Sequence, residues 1–150
     1  MTLNPITSRR LQNFKNNKRG WISFWIFAIL MLFTLPAEFI ANDKPIVVSY
    51  KGEIFFPIFK QYEETTFGGT FETETDYTDP YIVEKIESSG WILNPLVPFN
   101  HQTVSWDLPM PAPSPPDSEH ILGTDDQARD VLARVIYGFR ISVLFGFSLT

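Results

Sequence analysis

Residues 20–37, GWISFWIFAILMLFTLPA, run eighteen positions without a charge and carry twelve large apolar side chains between Trp21 and Leu35. A bilayer core takes about 20 mainly apolar helical residues. Continuing through Phe39, Ile40 and Ala41 reaches that length with the Glu38 carboxylate near an interface. Trp21 and Trp25 suit the aromatic belt of a membrane surface. The run predicts a transmembrane helix over residues 21–41. A cleaved signal peptide shares the outline of a basic region followed by an apolar one. It fits less well, because the run is long and bulky and puts Leu35 or Phe39 where cleavage prefers a small residue.

The flanks orient this helix. Residues 1–20 hold Arg9, Arg10, Lys15, Lys18 and Arg19 and no acid, whereas residues 38–120 hold fourteen acids against four lysines, a formal charge of −10. By the positive-inside rule the basic tail stays in the cytoplasm and meets anionic lipid, and residues from 42 onward lie outside. The net charge of −5 disfavours nucleic acid, since duplex binding rests on neutralised phosphates. With no cysteine there is neither a disulfide framework nor a thiolate metal site.

Outside the membrane, IVVSY (46–50) and EIFF (53–56) are β-branched and aromatic runs separated by Lys51 and Gly52, the pattern of a hairpin. Residues 61–79 have neither helical nor strand period and read as loop, and 81–88 as one or two helical turns. Residues 42–108 thus form a small β-rich extracytoplasmic segment, too small to hold a large core alone. Tyr77, Tyr81, Trp91, Phe99 and Trp106 are either its core, the favoured reading, or a contact surface. Five prolines among residues 109–116 make 109–119 a polyproline II spacer.

Thr124-Asp125-Asp126-Gln127 has the form of a capping box, so a helix is expected to start there. Ala128, Val131, Leu132, Val135, Ile136 and Phe139 form one apolar stripe, flanked by Asp125 with Arg129 and Asp130 with Arg134 at i, i+4. This gives an amphipathic helix within residues 120–140, followed by ten uncharged residues, 141–150, as the start of a second span. Ending in mid-span implies that the sequence is part of a longer product. The fold class is a mainly α membrane protein with a small β-rich insert.

Enzyme signatures are absent. There is no G-x-x-x-x-G-K-[ST] stretch to cradle phosphates and no G-x-S-x-G elbow. His101 and His120 lack ligand spacing for a metal. Glu63, Glu64, Glu72, Glu74, Asp76 and Asp79 sit in an aperiodic stretch that reads as a solvated loop rather than a carboxylate pair for catalysis.

The stretch 120–146, HILGTDDQARDVLARVIYGFRISVLFG, resembles the motif of the permease subunits of oligopeptide and dipeptide ABC importers, approximately H-P-L-G-T-D-x-x-G-R-D-x-x-[SA]-R-x-x-Y-G-x-R-x-S-[LV]. His120, Leu122, Gly123, Thr124, Asp125, Arg129, Asp130, Arg134, Tyr137, Gly138, Arg140 and Ser142 fall on it in register. Ile121 replaces the usual proline and Ala128 the usual glycine, and alanine at 128 favours a helix. The order of tail, anchor and long outer segment is similar to the C-type permease, and KPIVVSYKGEIFFPIF resembles the long-loop branch related to microcin C and oligopeptide uptake.

The resemblance implies a pore-forming permease subunit in the bacterial inner membrane. It also implies a second permease, cytoplasmic ATP-binding subunits and an extracytoplasmic peptide-binding protein as partners, with no cofactor in this chain because ATP is hydrolysed on a partner. The motif residues would hold the mouth of the path, Gly138 and Gly146 permitting close helix approach, or would only set the helix's depth in the headgroups. The alternative is a single-pass, membrane-anchored extracytoplasmic interaction protein.

Overall fold

A computed structural model describes residues 4–149; Met1 to Leu3 of the basic tail and Thr150 of the second apolar run lie outside it. Helix α1, Pro5–Asn16, starts on Asn4, whose side chain accepts the Ile6 N–H at 3.2 Å. Asn17 closes α1 and opens α2, Lys18–Thr34, by accepting the Gly20 N–H. Helix α2 is apolar on every side, with Ile22, Trp25, Ile29, Leu32 and Phe33 all exposed, as expected of a helix whose surroundings are not water.

The expected helix over 21–41 is not continuous. Pro36 has no N–H to donate and its ring obstructs the turn before it, so α2 stops at Thr34 and a separate short turn, α3 (Ala37–Ile40), follows. The break places Glu38 in α3 rather than inside a span.

Residues 42–108 carry an antiparallel sheet in the order β2-β1-β3, from β1 (Val47–Tyr50), β2 (Glu53–Phe55) and β3 (Gly90–Leu93). The hairpin falls where the alternating run placed it. Lys51 and Gly52 both adopt positive φ, 50° and 84°, the turn whose twist matches the strands it joins. Helix α4, Pro80–Glu87, is capped by Asp79 and buries Ile82 and Ile86 against Val48, Tyr50 and Phe67. Residues 61–79 are mostly loop, with one 3-10 turn at Glu64–Phe67.

The favoured assignment of the aromatics to a core holds for two of five. Tyr77 packs against the outer core and Phe99 against a second core of Ala37, Ala41, Val97, Ala133, Ile136 and Tyr137. Tyr81, Trp91 and Trp106 are 47%, 51% and 88% exposed. Residues 109–116 are no free rod either, since Ser114 in their middle is buried and bonded to Thr124.

Helix α5, Val131–Ser148, is the one helix among the described residues long and apolar enough to cross a membrane. It meets α2 through Phe27 and Phe139, with ring centroids 5.9 Å apart. The two helices, with Ile40, Leu96 and Val97, line an apolar groove of about 430 Å³.

Candidate functional site

The motif residues gather where the sheet-bearing segment leads into α5. Asp117 starts the turn: its carboxylate accepts the N–H groups of Glu119 at 2.9 Å and His120 at 2.6 Å. These backbone donors, His120 first, hold the Asp117 carboxyl below its usual range. The chain then folds back, with the Gly123 N–H bonded to the His120 carbonyl. Gly123 has φ +74°, and a Cβ there would lie 2.5 Å from the Ser114 carbonyl oxygen. Ser114 and Thr124 close the knot, the Ser114 N–H reaching the Thr124 hydroxyl at 2.9 Å and the Thr124 N–H reaching the Ser114 carbonyl at 3.1 Å.

Asp130 is the centre of this knot and is fully buried. One carboxylate oxygen accepts the Ala133 N–H at 2.7 Å, capping α5, and the other lies 2.9 Å from His120 Nδ1. A carboxylate only accepts, so the imidazole N–H is the donor. The His120 ring stacks on Phe99 at 4.4 Å.

This corrects the expected helix start. Thr124 does not cap a helix, because Ser114 takes its hydroxyl, and the cap of α5 comes six residues later, at Asp130. Residues 124–130 form a loop closed by a bridge between Thr124 and Asp130. The i, i+4 pairing is half right. Asp125 does pair with Arg129, at 2.9 Å, but across the loop. Arg134 turns to Asp125 rather than to Asp130, which is occupied by its cap and by His120.

Asp125 also accepts the N–H groups of Gln127 and Arg129. Burial pushes its carboxyl up, but the Arg129 N–H and guanidinium outweigh that and leave it at about 2, below the ordinary 3.8. A depressed carboxyl stabilises the fold fully above its unfolded value and loses that contribution as the pH falls. Acid titration should therefore loosen the 124–130 loop between pH 3.8 and about 2, read as faster amide exchange there. An Asp125→Asn variant should abolish that step, and an unchanged profile would refute the assignment.

Ala128 is the second correction. Instead of extending a helix it sits at φ +58°, with its carbonyl accepting the Ser105 N–H at 2.8 Å. Left-handed backbone costs a residue with a Cβ about 1 kcal/mol or more. An Ala128→Gly change should stabilise the protein by about 0.5 kcal/mol after the entropy of the freer glycine is subtracted. Denaturation midpoints of the two proteins check this, and a loss of stability would count against the loop geometry.

Farther along α5, two motif residues reach back to α3 and the residues on either side of it. The Tyr137 hydroxyl donates to the Ala41 carbonyl at 2.9 Å. Arg140 donates to Glu38 at 2.7 Å and to the Leu35 carbonyl, left open by the break at Pro36, at 3.3 Å. Arg140 also lies over the Tyr137 ring. These bonds fix α5 antiparallel to α2 with the two ends in register. A Cβ at Gly138 would meet nothing within 4 Å, so its expected close helix contact is not made with another part of the described chain. A Cβ added at Gly146 would likewise have nothing within 4 Å.

Ten of the twelve motif residues, all except Leu122 and Ser142, thus lie on one continuous feature, and all of these but Gly138 take part in its bonding or its turns. Ser114, Phe99, Glu38 and Ala41 complete it and were not anticipated as partners. One signal was present in the sequence: Glu38 and Arg140 are lone opposite charges beside two apolar runs. No group of three or more metal-ligating side chains is assembled among the described residues. His101 packs on the Tyr137 ring of this feature, with centroids 4.5 Å apart.

Compared with known proteins, the chain is 48% identical over 170 aligned positions to the peptidoglycan transport system permease protein YejE of Agrobacterium fabrum, an alignment covering 97% of the chain and 44% of that protein. It is 44% identical over 148 positions to the inner membrane ABC transporter permease protein YejE of Escherichia coli, covering 99% of the chain and 43% of the relative. A shorter match, 64% over 28 residues, covers 19% of the chain and 10% of the dipeptide transport system permease protein DppC of Haemophilus influenzae. The chain therefore spans less than half the length of the first two relatives. No family profile and no solved structure matches it.

Proposed function

The chain belongs to the permease proteins of ABC transporters, and on that premise we propose that it forms part of the pore subunit of an ATP-driven importer of peptides in the bacterial inner membrane. The observation that carries this reading is near-complete alignment of the chain with two such permeases. Dipeptide transport in the name of a third relative, and peptidoglycan transport in that of the first, support a peptide-bearing cargo. Microcin C or oligopeptides are the finer expectation.

In this reading the basic α1 stays in the cytoplasm, α2 crosses outward, residues 42–130 lie outside and α5 returns. Opposite directions for α2 and α5 agree with Arg140 meeting Leu35 and Tyr137 meeting Ala41. The motif then serves as a rivet: it fixes the mouth of the path by locking the start of the returning helix to the end of the outgoing one. The apolar groove between them offers a seat for further spans of the full-length protein. A second permease, cytoplasmic ATP-binding subunits and an external peptide-binding protein complete the assembly.

Deleting the gene that encodes the full-length protein should abolish uptake of labelled peptides, with restoration by the intact gene. Reporter fusions should place residue 16 inside and residue 75 outside. Unaltered uptake of every peptide class tested would sink the transport reading, and an external residue 16 would sink the topology.

A further inference from the structure

The run IFFPIF, residues 54–59, holds five large apolar side chains between Glu53 and Lys60 in an otherwise acidic segment. Phe55 turns inward onto Tyr62 and Phe67, both at 5.2 Å. Ile58 is half-buried as well, but three do not follow: Ile54, Phe56 and Phe59 are 61%, 45% and 73% exposed. They lie on β2, an edge strand of the sheet, and on the turn that leaves it.

We propose that this turn is a foot that beds into the outer-leaflet interface of the bilayer. Its position is the first reason. The Phe59 ring packs on Phe39 at 5.7 Å, and Phe39 lies five residues beyond the end of α2. Exposed apolar surface therefore runs from α2 through Leu35, 41% exposed, and Phe39, 42% exposed, onto Phe59. The inference rests on α2 crossing the membrane, and it extends that helix's lipid-facing surface sideways onto the outer segment.

The backbone is the second reason. A chain entering an apolar phase must satisfy its own polar groups. Here the N–H groups of Phe59 and Lys60 both bond to the Phe56 carbonyl, Pro57 has no N–H, and the Phe56 N–H reaches the Tyr62 hydroxyl. The turn presents its side chains with these donors already engaged. Charge is the third reason. Lys60 ends the apolar run and its ammonium sits over the Tyr62 ring, a cation at headgroup level for anionic lipid. Aromatic rings flanked by a cation are the composition favoured at that depth.

The test uses the full-length protein in vesicles of phosphatidylcholine and phosphatidylglycerol, with an environment-sensitive dye on a single introduced cysteine. Residues 1–150 have no native cysteine to compete, and any beyond them is replaced by serine. Phe59→Cys should give blue-shifted emission, with quenching severalfold stronger by lipid spin labels near the headgroup than by aqueous iodide. Trp106→Cys, at 88% exposure, should show the reverse. Leu32→Cys, on α2, reports the span itself through spin labels at the acyl terminus. Iodide quenching of Phe59→Cys equal to that of Trp106→Cys, or shielding from both quenchers, overturns the foot. If Leu32→Cys is still quenched deep in the bilayer in that case, the spanning reading stands alone. If Leu32→Cys is reached by iodide, both fall together.

Discussion

An Asp130→Ala change should cost about 2–4 kcal/mol of stability, because it removes a buried hydrogen-bonding carboxylate from between two donors. Two losses combine. The Ala133 N–H at the first turn of α5 loses its cap, worth about 1 kcal/mol, and the His120 Nδ1 N–H is left inside the protein with nothing to bond, worth about 1–3 kcal/mol. Both groups are shut away from water, His120 being 2% exposed and Asp130 0%. Asp130→Asn should be milder, because an amide oxygen still caps the helix. Denaturant unfolding of the full-length protein in mild detergent measures the difference. In the double variant with His120→Ala the costs should not add, because the second change removes the stranded donor. A loss in Asp130→Ala of less than about 0.5 kcal/mol, the level of an ordinary surface substitution, would show that the pair does not organise the knot.

Asp130 also shows why part of this fold could be read from sequence and part could not. Two residues, Thr124 and Asp130, each precede a helical pattern and could each cap it. Local spacing favours Thr124, with its glutamine three positions on, and gives no sign that Ser114 takes the hydroxyl from ten residues upstream. The same non-local tie bends residues 124–130 into a loop and puts Ala128 at positive φ, against its helical propensity. The motif's customary glycine at that position was the available signal, and it points to left-handed backbone rather than to packing. By contrast, the hairpin depends on a two-residue turn and alternation within ten residues, and it emerges correctly. Strand β3 was missed because GWIL is short and stands only through its pairing with β1 forty residues earlier. The anchor was read from its hydropathy, which does not register how Pro36 divides it.

The contact between α2 and α5 was legible only as chemistry without an address. A carboxylate just past one apolar run and a guanidinium inside another are each costly near a bilayer unless paired. Glu38 and Arg140 answer one another at 2.7 Å across 102 residues of sequence. The break that Pro36 imposes after α2 adds to that pairing. Ending the helix at Thr34 exposes the Leu35 carbonyl, and Arg140 takes it as a second acceptor. The charged pair thereby closes a helix terminus as well as fixing the register of α5.

Gly123→Ala should be about as damaging as the loss of Asp130, for a reason independent of charge. Its φ of +74° alone costs an alanine about 1–2 kcal/mol. The new methyl would also stand 2.5 Å from the Ser114 carbonyl oxygen and 3.1 Å from the Pro115 carbonyl carbon. These are backbone atoms of a strap held on both sides, so relief requires the strap to move and the Ser114–Thr124 bonds to open. Together these terms predict a loss of about 2–4 kcal/mol, in line with strain at a special backbone position. The change should also raise amide exchange at Thr124, whose N–H bonds to the displaced carbonyl. Gly138→Ala is the internal comparison, since a Cβ there meets nothing within 4 Å in this chain and alanine is the better helix former by about 1 kcal/mol. If Gly123→Ala unfolds no more readily than Gly138→Ala, the close approach of the strap is not part of the fold. If Gly138→Ala keeps its stability yet lowers uptake by the assembled transporter, that bare glycine face of α5 is where another span packs.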